Sequence, residues 1–269
     1  MRFSTRSCLG LSMLLLLVLA TGLGLYTSSR GAAQAAGPRV WLSQKVGPPT
    51  ASMQLQGNRF GVNETVLAYF DDTTQIGSIT TDATGQFVLQ VTVPKTALPG
   101  THTVRATGQS SGLTTLALFL VRTDWTQLGF GPSHLGNNPY ENVLTTSNVS
   151  GLTLDWSHPT IDTSPVVANG VVYASSHNEL YALDAVTGTL KWSYPTGRSI
   201  NSSPAVANGV VYVGSNDYNL YALDAVTGAL KWSGNTCYTS AVVVNGVVYV
   251  LGGVGNGYGL LAFHLPGMS

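Results

Sequence analysis

Charge is what this sequence lacks most. Asp, Glu, Lys and Arg make up 9% of its 269 residues, against about 25% in ordinary soluble domains. Its twelve basic and twelve acidic residues cancel, so there is no basic patch of the kind that nucleic acid binding requires. Cysteine is nearly missing. Cys8 lies in the leading segment and Cys237 stands alone in the rest, which excludes an intrachain disulfide and a Cys-based metal site. Cys237 reads as a small buried apolar residue. The five histidines (His102, His134, His158, His177 and His264) are scattered without metal-ligand spacing. No Gly-x-Ser-x-Gly elbow is present to carry a serine nucleophile. Gly255-Asn256-Gly257-Tyr258-Gly259 is glycine-rich but precedes a strand pattern instead of a helix. It reads as a hairpin loop and not as a phosphate cradle.

The first residues have the layout of an export signal. Arg2 and Arg6 open it, an apolar run extends from about Leu9 to Tyr26, and Ala33-Gln34-Ala35 offers a small-x-small site. Residues 1–35 are therefore expected to be a signal peptide cleaved after Ala35. An uncleaved anchor is the alternative, against which the apolar run is slightly short of the roughly 20 residues of a membrane span. Cleavage removes Arg2, Arg6 and Arg30, leaving nine basic residues against twelve acidic ones. No other contact with a membrane is expected.

Glycine is plentiful, 31 in all, and points to many turns and β architecture. Residues 39–122 show short alternating segments: Val66–Phe70, Phe87–Val93, His102–Ala106 and Leu116–Val121. Turn residues separate them at Asp71-Asp72, Asp82-Ala83-Thr84-Gly85 and Leu98-Pro99-Gly100. Alternation at this spacing predicts a β-sandwich. Asp71, Asp72 and Asp82 are conceivable calcium ligands, but a cluster this thin falls short of six to eight oxygens and reads as solvated turn carboxylates. Gly61-Val62-Asn63-Glu64-Thr65-Val66, Thr81 to Phe87, Val93-Pro94 and Pro99-Gly100-Thr101-His102 resemble bacterial immunoglobulin-like surface modules. That resemblance implies an immunoglobulin-like fold and is almost silent on ligand.

Residues 123–163 read as a linker that ends in one strand, Leu152-Thr153-Leu154-Asp155-Trp156-Ser157. Its pattern returns as Thr189-Leu190-Lys191-Trp192-Ser193 and as Ala229-Leu230-Lys231-Trp232-Ser233. Residues 164–265 hold the repeats. Two units each run Ser-Pro, an Asn-Gly-Val-Val-Tyr hairpin (Asn169–Tyr173, Asn208–Tyr212), Leu-Tyr-Ala-Leu-Asp-Ala-Val-Thr-Gly (Leu180–Gly188, Leu220–Gly228), then the Trp strand. A third unit begins at Ser240 and its final motif has decayed to Leu260-Leu261-Ala262-Phe263-His264. A period of about 40 residues is that of a four-stranded propeller blade. Asn-Gly suits a tight hairpin with positive φ. Asp184 and Asp224 read as turn residues holding backbone N–H groups. Trp192 and Trp232 read as packing between blades. Asp217 reads as a loop carboxylate with no matched partner.

These units resemble the repeats of pyrroloquinoline-quinone-type propellers, a family that includes quinone-cofactor dehydrogenases and scaffold lipoproteins of outer-membrane assembly. The expected architecture is all-β: an immunoglobulin-like sandwich followed by an incomplete β-propeller of about three four-stranded blades. Three blades cannot close a ring, so an open arc is expected, or a ring completed by several chains. In a longer relative, Leu152–Ser157 would supply the closing strand. A dehydrogenase would need a full ring around a quinone and calcium, a catalytic carboxylate and, in many relatives, adjacent cysteines. No residue stands out as catalytic, cofactor-binding or metal-binding. The expectation is an exported, non-catalytic binding or scaffold protein without cofactor, secreted or held at the cell surface, whose partner is a protein, a cell-surface component or itself. A quinoprotein oxidoreductase, or a remnant of one using quinone and calcium, is the alternative.

Overall fold

The structure, a computed structural model, describes residues 37–130, 135–236, 239–254 and 257–264. The expected signal segment with Cys8, and also Gly131-Pro132, His134, Cys237 and Gly255-Asn256, lie outside the described residues. The described chain is all-β apart from one short 3-10 turn, Val149–Gly151.

The first part is a two-sheet sandwich. One sheet has the order β1 (Arg39–Leu42), β3 (Ser52–Asn58), β6 (Phe87–Thr92). The other has the order β2 (Val46–Gly47), β8 (Thr114–Val121), β7 (Gly100–Gly108), β4 (Thr65–Phe70), β5 (Thr74–Thr80). All pairs are antiparallel except β2 with β8, which run parallel. Every second residue of β3 and β4 turns inward, so Met53, Leu55, Val66 and Ala68 meet Val104 and Phe119 in one core. Alternation of this kind is what a sheet with one dry face requires.

Three smaller sheets follow. The first is β9 (Val166–Ala168), β10 (Val171–Ser176), β11 (Glu179–Asp184) and β12 (Leu190–Pro195). The second is β13 (Ala205–Ala207), β14 (Val210–Gly214), β15 (Asn219–Asp224) and β16 (Leu230–Asn235). The third, β17 (Val242–Val244), β18 (Val247–Val254) and β19 (Gly257–Phe263), has three strands. Each is an antiparallel meander, the form of a propeller blade, and the short inner strands β9, β13 and β17 converge. The Asn-Gly turns behave as their chemistry dictates. Asn169, Asn208 and Asn245 and the glycine after each all have positive φ, the requirement of a two-residue type I′ hairpin. The first two blades are near copies, down to an irregularity in register at Ala182/Leu183 and again at Ala222/Leu223.

One expectation fails. Leu152–Ser157 is not a strand; residues 152–158 carry no regular structure. A strand needs a ladder partner for its N–H and C=O groups, and among the described residues none is placed beside it. Its tryptophan nevertheless docks as the repeat demands, as described below.

Candidate functional site

The convergence of the inner strands is the structural centre of the repeats, and the chain itself lies across it. Trp125 exchanges two backbone hydrogen bonds with Val167 of β9, each 2.7 Å. The carbonyl of Thr126 accepts from the N–H of Val206 in β13 at 2.7 Å. The Oε1 of Gln127, a buried side chain, accepts from the N–H of Val243 in β17 at 3.4 Å. Three consecutive residues thus touch three consecutive blades. An inner strand is an edge strand, with a row of unpaired backbone groups, and residues 125–127 supply partners to that row. Sequence reading placed them in a linker because nothing in Trp-Thr-Gln marks such a role.

The segment is anchored from the sandwich side. Arg122, just after β8, donates to Asp124 at 2.9 Å and to the Oδ1 of Asn169 at 2.7 Å, while the N–H of Asn169 donates to Asp124 at 3.2 Å. The first hairpin of the repeats is therefore tied to the last strand of the sandwich.

The loops of the first two blades frame an open polar recess of about 520 Å3. His177, Asn178, Gly197, Arg198, Ser199 and Asn216 line it. The nearby carboxylate, Asp217, corrects the sequence reading: it has partners on every side. Its Oδ2 accepts from Tyr221 at 2.6 Å and from the Gly197 N–H at 2.8 Å, and its Oδ1 accepts from the Asn219 N–H at 3.0 Å. Burial pushes its acidity the other way, but these hydrogen bonds outweigh it and hold the carboxyl below its ordinary value. Tyr221 is pushed up to about 12, by burial first and then by its bond to Asp217. The pair clamps one blade's hairpin to the preceding loop, a role invisible in a sequence where tyrosine and aspartate are four residues apart.

Asp184 and Asp224 close the Asp-Ala-Val-Thr-Gly turns as expected. The Oδ1 of Asp184 accepts from the N–H groups of Val186 and Thr187, both at 3.0 Å, and its Oδ2 faces Lys191 at 3.0 Å. Asp224 repeats this with Val226, Thr227 and Lys231. Lys191 and the backbone donors hold Asp184 down at about 2, and Thr227 and Lys231 do the same for Asp224. The sign follows from linkage. Both folded values lie below the ordinary 3.8, so the stabilisation is complete above that value and is lost as pH falls through about 2. Denaturant midpoints of the repeats should therefore fall between about pH 5 and about pH 2, and D184N/D224N should flatten that slope. An unchanged slope in the double variant would remove these turns as its source.

Tryptophan makes the joint between blades. The Trp192 ring lies on Gly228, where a built Cβ would stand 2.7 Å from the indole. Its Nε1 donates to the Ala225 carbonyl at 3.1 Å, and the buried hydroxyl of Tyr173 donates to the same oxygen at 2.9 Å. Burial, then the charges of Asp224 and Asp124, push Tyr173 up to about 12. Trp156 repeats the joint one blade earlier, 2.7 Å from a Cβ built on Gly188, with its Nε1 donating to the Ala185 carbonyl at 3.3 Å. Trp232 meets Phe263 edge-on at 5.0 Å. Beside it, Val210, Tyr212, Ala222, Val248 and Phe263 border a mostly apolar pocket of about 430 Å3.

In the sandwich, the aspartates considered for calcium are otherwise engaged. Asp71 binds the His102 ring at 2.6 Å and the Thr103 N–H at 3.1 Å. Asp72 holds Arg105 through both oxygens. Asp82 caps its own turn through Thr84 and Gln86. Among the described residues, no three of His, Cys, Asp and Glu gather as a metal site. Among the described residues, one carboxylate that sequence reading passed over is buried: Glu64, 4% exposed, accepts from Gly61, Ser110 and Ser111.

A curated relative, the dehydrogenase subunit of the quinone alcohol dehydrogenase of Gluconobacter oxydans, is 38% identical over 78 residues, 26% of this chain and 10% of that one. The chain thus spans about a tenth of that relative. Among solved structures, the quinohemoprotein alcohol dehydrogenase of Comamonas testosteroni is 26% identical with a TM-score of 0.43, over 49% of this chain and 23% of that chain. BamB from Moraxella catarrhalis is 14% identical with a TM-score of 0.33, over 82% of this chain and 61% of that chain. No helix among the described residues is long and apolar enough to cross a membrane. The family model described as outer membrane protein assembly factor BamB matches residues 125–262, from the first stitching residue to the last strand and more than half of the sequence, and to that family the chain belongs.

Proposed function

We propose that this chain is an exported, non-catalytic scaffold that binds another protein of the cell envelope through its blades. One observation carries the reading: residues Trp125 to Gln127 bond to all three inner strands. A quinone dehydrogenase needs the space framed by inner strands for its cofactor, and here that edge is taken by the chain itself. The carboxylates of the repeats do not fit a quinone and calcium either. Asp184, Asp217 and Asp224 are spent on turns, on Lys191 and Lys231, and on Tyr221.

Other features support binding. The outer rim presents apolar side chains at repeated positions, Val186 and Val226 at the turn tips, 81% and 82% exposed, with Leu190 and Leu230 behind them. Exposed apolar patches of this kind mark association surfaces. Membership in an outer-membrane assembly family supports an envelope location and a protein partner, and the expected signal peptide supports export. The strand orders β1-β3-β6 and β2-β8-β7-β4-β5 support an immunoglobulin-like sandwich acting as a spacer or adhesive module.

The likeness to a quinone alcohol dehydrogenase makes the alternative testable in the same tube. Titration of the purified chain with pyrroloquinoline quinone and calcium, followed by calorimetry and tryptophan fluorescence, should show no saturable binding. Calcium-dependent saturation, with alcohol-driven dye reduction, would replace the scaffold reading with the oxidoreductase one.

A further inference from the structure

The wet face of the first sandwich sheet sets an aromatic ring among amides. Alternation in β1, β3 and β6 turns Trp41, Gln54, Gln56, Val88 and Gln90 away from the core. The register puts three of them in one row: Trp41 faces Gln56, and Gln56 faces Val88. Gln54 and Gln90 face each other in the next row. Trp41 is 41% exposed and Val88 55%. Apart from Arg39 at the start of β1, the outward residues of these three strands are uncharged.

The row borders a groove of about 420 Å3, within the roughly 300–1,000 Å3 of ligand pockets. Trp41, Gln56, Thr80, Asp82, Gln86 and Val88 are among the residues that line it. The indole is held: its Nε1 donates to Gln56 at 3.0 Å, and the Gln56 amide donates in turn to Gln54 at 3.3 Å. A ring fixed in this way loses little freedom when a ligand settles on it. Hydrogen-bonding capacity is left over. Asp82 spends its Oδ1 on Thr84 and Gln86, and its Oδ2 has no hydrogen bond among the described residues. Asn58, the next outward residue of β3 after Gln56, has a buried Oδ1 without a partner among the described residues.

Charge narrows the occupant. No Lys, Arg or His lines the groove, and the bonds from Gln86 and Thr84 hold Asp82 below the ordinary carboxylate value. The groove therefore repels an anion. Its ligand must offer an apolar face to the indole, hydroxyls to the amides and the carboxylate, and no negative charge. A sugar ring does all three, with C–H groups on its face and hydroxyls around its rim. Each hydroxyl both donates and accepts, as each glutamine amide does. A peptide strand would instead seek a backbone edge, whereas the groups offered here are side chains on a sheet face. We infer that this face binds a neutral polysaccharide, one sugar ring stacking on Trp41 while its neighbours meet Gln56, Gln86 and Asp82. Gln54 and Gln90 give the chain a surface on which to continue beyond the groove. The inference deepens the adhesive reading of the sandwich, on which it rests, by naming the chemistry of what it adheres to.

Affinity electrophoresis tests it on the full chain, in native gels cast with dextran, mannan or laminarin, beside pull-down on insoluble cellulose and chitin. At least one of these neutral polysaccharides should hold the wild-type chain, and polygalacturonate and heparin should not. W41A should bind at least about tenfold more weakly, and W41F should keep most of the affinity. V88D, at an exposed position of the same row, should match the loss in W41A without touching the tryptophan. Circular dichroism should show both folded. Three results would each overturn the inference: no neutral polysaccharide binds, only the anionic ones do, or W41A and V88D bind as wild type does. Displacement by a tryptic digest of casein but not by oligosaccharides would hand the face to a protein partner and overturn it too. Any of these returns the sandwich to a spacer and leaves the scaffold reading of the blades standing, which the quinone titration tests separately.

Discussion

Gly228→Ala should lower the stability of the repeats by about 3 kcal/mol, read as a shift of the denaturant midpoint at constant slope. Two effects add at this position. The residue has φ +73°, a left-handed conformation that costs a residue with a Cβ about 1 kcal/mol or more. The added Cβ would also stand 2.7 Å from the Trp192 indole. That contact cannot be held, so the ring must lift. Lifting it breaks the bond from Nε1 to the Ala225 carbonyl and opens the packing against Tyr173. Gly209 provides the control. It has nearly the same φ, +77°, but nothing within 4 Å of a built Cβ, so Gly209→Ala should cost about 1 kcal/mol. The difference between the two variants measures the tryptophan joint. Equal losses would mean that the joint holds nothing and that the blades are held together by their inner strands alone.

Gly188 extends the comparison. It lies under Trp156 in the same way, although Trp156 belongs to no strand. A loss at Gly188→Ala near that at Gly228→Ala would show that the joint works without its strand being paired.

The parts of this architecture that sequence alone reveals are those whose chemistry is local. Asn-Gly needs positive φ at two adjacent residues, and all three copies have it. Asp184 and Asp224 close turns with donors two and three residues away. Repetition exposes the blades because each copy must solve the same packing problem. In the sandwich, β4, β6, β7 and β8 are legible from alternating apolar residues, whereas β3 and β5 are rich in Gln, Ser and Thr on their wet faces and offer a weaker pattern. What stays hidden depends on partners distant along the chain. Gln127 bonds to a strand 116 residues away, and no periodicity predicts that. Leu152–Ser157 misleads for the opposite reason: its pattern is that of a strand, but a strand also requires a neighbour.

Glu64 was hidden too, although it lies between two legible parts of the sandwich, and removing it should damage the sandwich more than any surface change. Its two oxygens accept from the N–H groups of Gly61, Ser110 and Ser111 and from the Ser111 hydroxyl, at 2.5 to 3.1 Å. Thr81 completes the knot, donating to the Gly61 carbonyl at 2.7 Å and accepting from the Glu64 N–H at 2.9 Å. One carboxylate therefore fastens the turn before β4 to the loop between β7 and β8. Glu64→Ala would leave four donors, on half-buried Gly61 and exposed Ser110 and Ser111, without their acceptor. Each unsatisfied buried group costs about 1–3 kcal/mol, partly relieved by water, so a loss of about 4 kcal/mol is expected. Glu64→Gln keeps the shape but turns an NH2 toward a donor, and should lose about half as much. Burial raises the carboxyl's pKa, but the bonds from Ser111, Gly61 and Ser110 prevail and leave it below the ordinary 4.5. The folded state thus favours the ionised form. Its contribution is complete above the ordinary value and is lost as pH falls through the lowered one. Wild type should lose more sandwich stability on acidification than Glu64→Gln, which keeps the lowered carboxyls of Asp72 and Asp82. If the variant keeps the wild-type midpoint at neutral pH, water in the loop serves as well as the carboxylate, and the knot is not what holds β4 to the loop between β7 and β8.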